Sequence, residues 1–349
     1  MLLSNQELVE SARTHPEVAA FYAKHPQPPP RKDLLVARAE LRALNDANLR
    51  RIGPPPSGIE EFYHDIEMRD GFNSTLKICK PTNTAPGPLV VLLFGGGFIA
   101  GDKDQLTETA RICAQLYSAT VVNLSYRLGP EHKFPYAQND ALDSLEWIAK
   151  NATTPLLAAD PTIGFLIGGV SAGAAISAAL SRKFQERSLA YPLTGQWLAV
   201  PSLMHEGCCP PKYKTCYISL TQNSSCPRLG QETRDRIMEA VRWDKDSDLR
   251  YAANSKTPMA GQPRTYLQVD GQDPLRDDAL IYDEMLREAG VKTKLDLYPG
   301  CPHAHWSSMR GLEIGNKALI DTVVGLGWLL NRKVPREVAA AALKVSVAS

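Results

Sequence analysis

The chain lacks an excess of either charge. Its 349 residues carry 39 Lys and Arg against 38 Asp and Glu, a formal net charge of +1, and so even a balance offers no electrostatic footprint for nucleic acid or an anionic membrane. No apolar run approaches the ~18 residues that would read as a membrane span. The opening stretch MLLSNQELVESARTHPEV has three apolar residues and then polar and charged ones. It lacks the apolar core of a signal peptide, and a cytoplasmic location is expected. Seven cysteines, an odd number at irregular spacings, argue against a disulfide framework. Cys208, Cys209, Cys216 and Cys226 crowd one segment without any C-x(2–4)-C pair, so no metal site is expected. N-x-S/T matches at Asn73, Asn123, Asn151 and Asn223 mean little without secretion, and Asn123 falls inside the apolar run ATVVNLSY.

What is present is apolar content and alternation. Hydrophobic residues make up 44% of the chain, enough for one large domain or a domain with a cap. Ser4 and Glu7 have capping-box spacing, and the pattern predicts a helix from there to about His25. Pro26 and Pro28 to Pro30 stop it, and a second helix is expected from about Lys32 to Arg51, ended by Pro54 to Pro56. Residues 59 to 80 read as antiparallel edge strands turning near Asp70-Gly71. The run LVVLLF, Leu89 to Phe94, is the unbroken kind found in parallel sheets covered on both faces. Helices and strands then alternate, which predicts a predominantly parallel α/β sheet. Residues 201 to 258 lose the pattern and read as an insertion over the sheet, part of a cap; order resumes at Arg264. The tail from Val334 looks frayed.

The chemistry centres on IGFLIGGVSAGAAISAAL, residues 163 to 180. A serine between glycines, set between a strand and a helix, reads as a nucleophile elbow: Gly169-Val170-Ser171-Ala172-Gly173 turns sharply and lifts the Ser171 hydroxyl out of the fold. A Cβ at 169 or 173 would crowd that turn, and Ser171 is expected in a strained backbone conformation. The hydroxyl needs a base within reach and the base needs an orienting acid. Asp273 follows the strand TYLQVD and His303 follows KLDLYPG, in the chain order of an α/β hydrolase. Asp270, Asp277 and Asp278 compete for the acid role, and His305 for the base.

These residues resemble the hormone-sensitive-lipase-like branch of the α/β-hydrolases. The resemblance covers residues 60 to 332 in separated blocks. Gly95-Gly96-Gly97-Phe98 resembles the HGGGF loop, Tyr126 to Glu131 with Phe134-Pro135 and Asp140 resembles YRLAPE…FP…D, residues 169 to 173 resemble GxSAG, and Asp273 to Asp277 with Pro302-His303 resemble DPLRDE and PHGF. The resemblance implies an α/β-hydrolase fold, a mostly parallel central sheet with helices on both faces and a helical cap. The expected layout is N-terminal cap helices at 1–57, a catalytic domain at 58–334 with the cap insertion at about 201–258, and a C-terminal tail at 335–349.

It also implies roles: Ser171 as nucleophile, Asp273 as orienting acid, and His303 as base, with His305 falling where a phenylalanine is usual. Gly96, Gly97 and Ala172 would donate backbone N–H groups to the oxyanion, and Phe98, His305 and Trp306 are candidates for the substrate pocket. One departure stands out: the histidine that precedes the family's glycines is Phe94 here. The expected activity is cleavage of an ester or thioester of a medium-sized apolar acyl group through an acyl-enzyme, with no cofactor and no metal. A nearby alternative releases or lactonises a polyketide-type acyl chain from an acyl carrier domain. An alternative from another class is a non-catalytic small-molecule receptor, which need not keep its triad. A homodimer is compatible with the family, although no seam for one is legible.

Overall fold

The unbroken apolar run at 89 to 93 becomes β3 (Leu89–Leu93), buried at every position. It lies between β4 (Thr120–Leu124) and β5 (Phe165–Val170), both parallel to it. The structure, a computed structural model, describes residues 3–26, 33–82, 85–187 and 189–345. The proline run 28 to 30, the expected helix start at Lys32 and part of the loop at 82 to 87 lie outside the described residues. The other strands are β1 (Ile59–Glu67), β2 (Asn73–Pro81), β6 (Gly195–Ala199), β7 (Arg264–Asp270) and β8 (Thr293–Tyr298). They form an eight-stranded sheet in the order β1-β2-β4-β3-β5-β6-β7-β8. β1 and β2 are the antiparallel edge; from β4 to β8 every neighbour is parallel. The carboxyl ends of β3, β5, β7 and β8 therefore open on one rim, where loops between strands and helices collect.

The helices are α1 (Asn5–Ser11), α2 (Pro16–Lys24), α3 (Leu34–Ile52), α4 (Thr107–Tyr117), α5 (Tyr136–Asn151), α6 (Ala172–Glu186), α7 (Ser219–Gln222), α8 (Gln231–Val241), α9 (Arg276–Glu288), α10 (Glu313–Leu329) and α11 (Arg336–Leu343). Separate apolar clusters fill the space around the sheet. One sets α5 side chains against β3 and β5, and another sets α4 and α10 side chains against them. Among the described residues no helix is long and apolar enough to cross a membrane, and all seven cysteines are free.

Two expectations are corrected. The single N-terminal helix is two: Ser4 caps α1 in a full capping box, and α2 restarts with His15 as cap and Pro16 in its first turn. The break is used for docking. The His15 N–H donates to Gly300 O at 3.1 Å and the Gly300 N–H to Ser11 O at 2.7 Å. The buried Arg276 guanidinium reaches Leu8 O at 2.7 Å and Ser11 Oγ at 3.2 Å. Such contacts cannot be read from helical periodicity. The tail is also not frayed before residue 344: α11 buries Ala339, Ala340 and Leu343, and Arg336 reaches Asp321 on α10 at 2.5 Å.

α3 is tied down near its start by Arg38 and near its end by Arg51, which meets Glu108 at 3.1 Å. Arg38 Nε donates to Ile99 O at 2.8 Å, its Nη2 to Gly129 O at 2.7 Å, and both η nitrogens to Glu131 at 2.9 Å. The guanidinium holds the Glu131 carboxyl down at about 2.

Candidate active site

At the end of β5 the chain turns at Ser171 with φ 55° and ψ −114°, and α6 begins at the next residue. A positive φ on a non-glycine residue is strained and persists only when its surroundings hold it. Here the Ser171 N–H donates to Ala199 O at 2.8 Å. The flanking glycines allow the approach: a Cβ on either Gly169 or Gly173 would come within 2.2 Å of Leu93 O.

Three of the expected residues meet on the rim. His303 Nε2 lies 2.9 Å from Ser171 Oγ, and His303 Nδ1 lies 2.6 Å from Asp273 Oδ2. Asp273 and His303 are buried while Ser171 is half-buried, so the relay is shielded with its hydroxyl end facing out. The other Asp273 oxygen accepts the Leu275 N–H at 2.9 Å, and Asn223 Nδ2 donates to Asp273 O at 2.9 Å. Asn223 follows α7 directly, so the segment 201 to 258 braces the acid loop. The sequence marks Asn223 only as an N-x-S match, which says nothing of this bracing contact.

The rival residues have other work. His305 Nδ1 lies 2.8 Å from Asp270 Oδ1 and its Nε2 faces Ile314 O at 3.2 Å. A carbonyl only accepts, so Nε2 carries the proton and has no lone pair for a substrate. His305 and Asp270 are both fully buried, and burial pushes the Asp270 carboxyl up. This corrects the expectation that His305 lines the substrate pocket. Trp306 beside it is buried too, its indole packed against Tyr298 and His305. Phe98 is buried as well, against Trp243 of the insertion at 6.2 Å between ring centroids.

Asp277 accepts the Ile218 and Ser219 N–H groups at 2.7 and 2.6 Å. Asp278 accepts the Leu203 and Met204 N–H groups at 2.8 and 3.1 Å and the Tyr217 hydroxyl at 2.8 Å. Both carboxylates therefore pin the insertion to α9. Burial pushes Asp278 up to about 7, against about 4 in an unfolded chain. The folded state then holds the proton more tightly, so this contribution to stability is complete below pH ~4 and is lost as pH rises through 7. In Asp278→Asn the amide oxygen still accepts the two N–H groups and the NH2 donates to Tyr217 Oη. Urea unfolding between pH 5 and 8 is expected to show a flatter loss of stability in this variant than in wild type.

The glycine loop after β3 faces the elbow. Among the described residues the Gly96, Gly97 and Ala172 N–H groups donate to no backbone acceptor outside their own elements. Gln105 holds the loop: its Oε1 accepts the Gly95 N–H at 2.7 Å and its Nε2 donates to Gly95 O at 3.2 Å. This bracing residue was not found from sequence, since a lone Gln in a polar loop carries no pattern. Ile237 of α8 closes over Gly97, where a Cβ would meet its Cδ1 at 2.6 Å. Phe94 is buried, stacked on Tyr126 at 4.0 Å and 8° between rings, while the Tyr126 hydroxyl donates to Phe94 O at 2.7 Å. Stacking thus braces this strand end in place of a polar side chain. Removing the twin Gln105 bonds, each worth about 1 kcal/mol, is expected to loosen the loop. Gln105→Ala should lower kcat by about 10-fold with a smaller change in KM, read from steady-state ester hydrolysis.

A parallel sheet with a serine elbow after β5, an aspartate after β7 and a histidine after β8 defines an α/β hydrolase. The chain matches the α/β-hydrolase-fold family model over residues 90–307 and belongs to that family. It is 31% identical over 290 residues to the versiconal hemiacetal acetate esterase of Dothistroma septosporum, covering 81% of this chain and 85% of that protein. It is 30% identical over 270 residues to carboxylesterase NlhH of Mycobacterium tuberculosis, covering 74% and 80%. Among solved structures, vibralactone cyclase superposes with a TM-score of 0.86 at 28% identity, over 95% of this chain and 98% of that one. Among the described residues no group of three or more His, Cys, Asp or Glu is placed to hold a metal ion.

Proposed function

We propose that this carboxylesterase-type hydrolase cleaves a small-molecule carboxylic ester of a medium-sized apolar acyl group through an acyl-enzyme on Ser171. The observation that carries the reading is the relay of 2.9 Å from Ser171 Oγ to His303 Nε2 and 2.6 Å from His303 Nδ1 to Asp273. Ser171 Oγ attacks the ester carbonyl and passes its proton to His303 Nε2, while Asp273 holds the imidazole and stabilises its charged form. The carbonyl oxygen, now an oxyanion, takes the N–H groups of Gly96, Gly97 and Ala172, each typically worth ~10²- to 10³-fold in rate. The alcohol leaves with the proton from His303. Water, deprotonated by the same nitrogen, then attacks the acyl carbon and restores the serine. The esterases among its relatives support the class of substrate, and the apolar side chains of Ile237 and Phe98 beside the glycine loop support an apolar acyl group.

A panel of p-nitrophenyl esters from acetate to decanoate tests this, with intact-mass detection of the acyl adduct. A burst and an adduct with a medium-chain optimum are expected. Absence of an adduct with every ester and with a fluorophosphonate probe would move the weight to a receptor.

The buried, apolar Phe94 and the likeness to vibralactone cyclase favour a second reading, in which a substrate hydroxyl rather than water resolves the acyl-enzyme to a lactone. Added hydroxyl acceptors then speed adduct decay, and Phe94→His raises hydrolysis over transfer. An unchanged product ratio removes this second reading.

A further inference from the structure

The segment 201 to 258 buries a cation that has no carboxylate within ion-pair distance among the described residues. Arg250 is 4% exposed, and its guanidinium sits 4.1 Å from the Trp243 ring centroid, 3.9 Å from that of Tyr251 and 5.3 Å from that of Phe98. Its Nη2 donates to Ser202 Oγ at 3.1 Å. Its Nε and Nη1 are buried with no acceptor among the described residues. Asp278, whose charge Arg250 feels, is already engaged by the Leu203 and Met204 N–H groups and the Tyr217 hydroxyl. Buried Arg111 is paired with Glu61 at 2.6 Å and buried Arg276 with Asp277 at 2.7 Å, while buried Arg182, also without a carboxylate partner among the described residues, gives both η nitrogens to the backbone carbonyls of Ser255, Thr257 and Pro258. Taking a guanidinium out of water without a carboxylate is costly. Aromatic faces offset part of that cost by cation–π attraction, but they leave in-plane N–H donors unmatched.

The position of this residue gives the unmatched donors a use. Phe98 is the residue after the oxyanion glycines. Ser202 lies three residues beyond Ala199, whose carbonyl holds the Ser171 N–H. Between them Val200, a β-branched residue, adopts φ 44°, a strained conformation of the kind that collects at functional sites. That turn carries Ser202 from the sheet to Arg250. The guanidinium thus touches both segments that flank the serine, with the rings of Phe98, Trp243 and Tyr251 around it.

We propose that Arg250 recognises a carboxylate carried by the ester substrate away from its scissile bond, which the free Nε and Nη1 donors receive between Phe98, Trp243 and Tyr251. The catalytic consequence rests on the ester-hydrolase reading above, whereas the binding does not. The substrate class is then a hemiester of a dicarboxylic acid, or an ester of a hydroxy acid whose carboxylate is free. Arg250 is a specificity residue and takes no part in proton transfer.

Two matched pairs test it. Mono-p-nitrophenyl adipate against p-nitrophenyl hexanoate places the carboxylate on the acyl side, and 4-acetoxybenzoate against its methyl ester places it on the alcohol side. Wild type is expected to favour the carboxylate member of one pair by about 10- to 100-fold in kcat/KM, mostly through KM, as for a hydrogen bond to a charged group. In Arg250→Met that ratio falls to about one or below, and Arg250→Lys restores part of it. Ser202→Ala, a smaller deletion, lowers the ratio less and serves if Arg250→Met does not fold. Calorimetric binding of monomethyl adipate and methyl hexanoate, and of the acetoxybenzoate pair, to Ser171→Ala reads recognition without turnover. If wild type turns over no ester but Ser171→Ala still prefers the carboxylate ligand, the hydrolase reading falls and this proposal stands. Equal binding of both members of both pairs overturns the proposal, as does a preference that survives in Arg250→Met.

Discussion

Ser171→Ala loses the covalent acyl adduct and about 10⁴- to 10⁶-fold in kcat, with secondary structure and Tm close to wild type. The magnitude follows from removing the nucleophile of a unit whose members act together. What is expected to remain is rate enhancement from substrate binding and from the Gly96, Gly97 and Ala172 N–H groups proposed above as oxyanion donors. The fold is expected to tolerate the change: Ser171 Oγ makes one contact, with His303 Nε2 at 2.9 Å, and alanine keeps the backbone bond to Ala199 O. Asp273→Asn is the companion variant. Its amide would face His303 Nδ1, where the carboxylate now lies at 2.6 Å, and would favour the tautomer that presents a proton rather than a lone pair to Ser171. A fall of about 10³- to 10⁴-fold in kcat is expected. Burst kinetics with mass detection checks both variants. An adduct of normal size on Ser171→Ala would end the assignment.

His303→Ala and His305→Ala should fail in opposite ways although the residues are two apart. His303 lies on the rim, and its loss removes the base at a cost of about 10³-fold or more in kcat. His305 is fully buried, and its loss strands the Asp270 carboxyl, also fully buried, without its partner at 2.8 Å. Removing one member of a buried pair costs about 3–5 kcal/mol. His305→Ala is therefore expected to lose about that much unfolding free energy in urea, while the protein that remains folded keeps its adduct chemistry. Adding Asp270→Asn to His305→Ala recovers part of the loss, because an amide is cheaper to bury than an unpaired carboxylate. Equal stability of the two single histidine variants would contradict this division. Burial pushes the Asp270 carboxyl up, so its contribution to stability is present at low pH and declines as pH rises through the folded titration.

The elbow was legible because its signal is local. Glycine at 169 and 173 is demanded by a Leu93 carbonyl that a Cβ would strike at 2.2 Å, and the apolar strand before it and helix after it are encoded within eighteen residues. The parallel sheet was legible for the same reason, since runs such as Leu89 to Leu93 are apolar at every position only where both faces are covered. The resemblance of separated blocks then singled out Asp273 and His303 from competitors that composition could not separate.

Other features were not legible because they depend on partners far along the chain. The break between α1 and α2 exists because Ser11 and His15 bond to Gly300; periodicity alone runs the helix through. The tail is helical because Arg336 meets Asp321 and alanines find a buried face on α10. His305 and Trp306 look like pocket residues by their nearness to His303, and only the packing of β8 and α10 around them shows that they face inward. Gln105 and Arg250 carry no motif, the N-x-S match at Asn223 does not bear on its contact, and all three act through contacts made by folding. By itself, then, the sequence determined the hydrolase sheet and the strained serine turn, set by short-range sterics and hydrophobic patterning, and its resemblance to a known family picked out Ser171, Asp273 and His303 in chain order. Tertiary structure alone decided which histidine faces the serine, what braces the glycine loop, and that the Arg250 guanidinium is buried with no carboxylate within ion-pair distance among the described residues. Each of these is an electrostatic or hydrogen-bonding relation between groups that only the closed fold brings within a few ångströms.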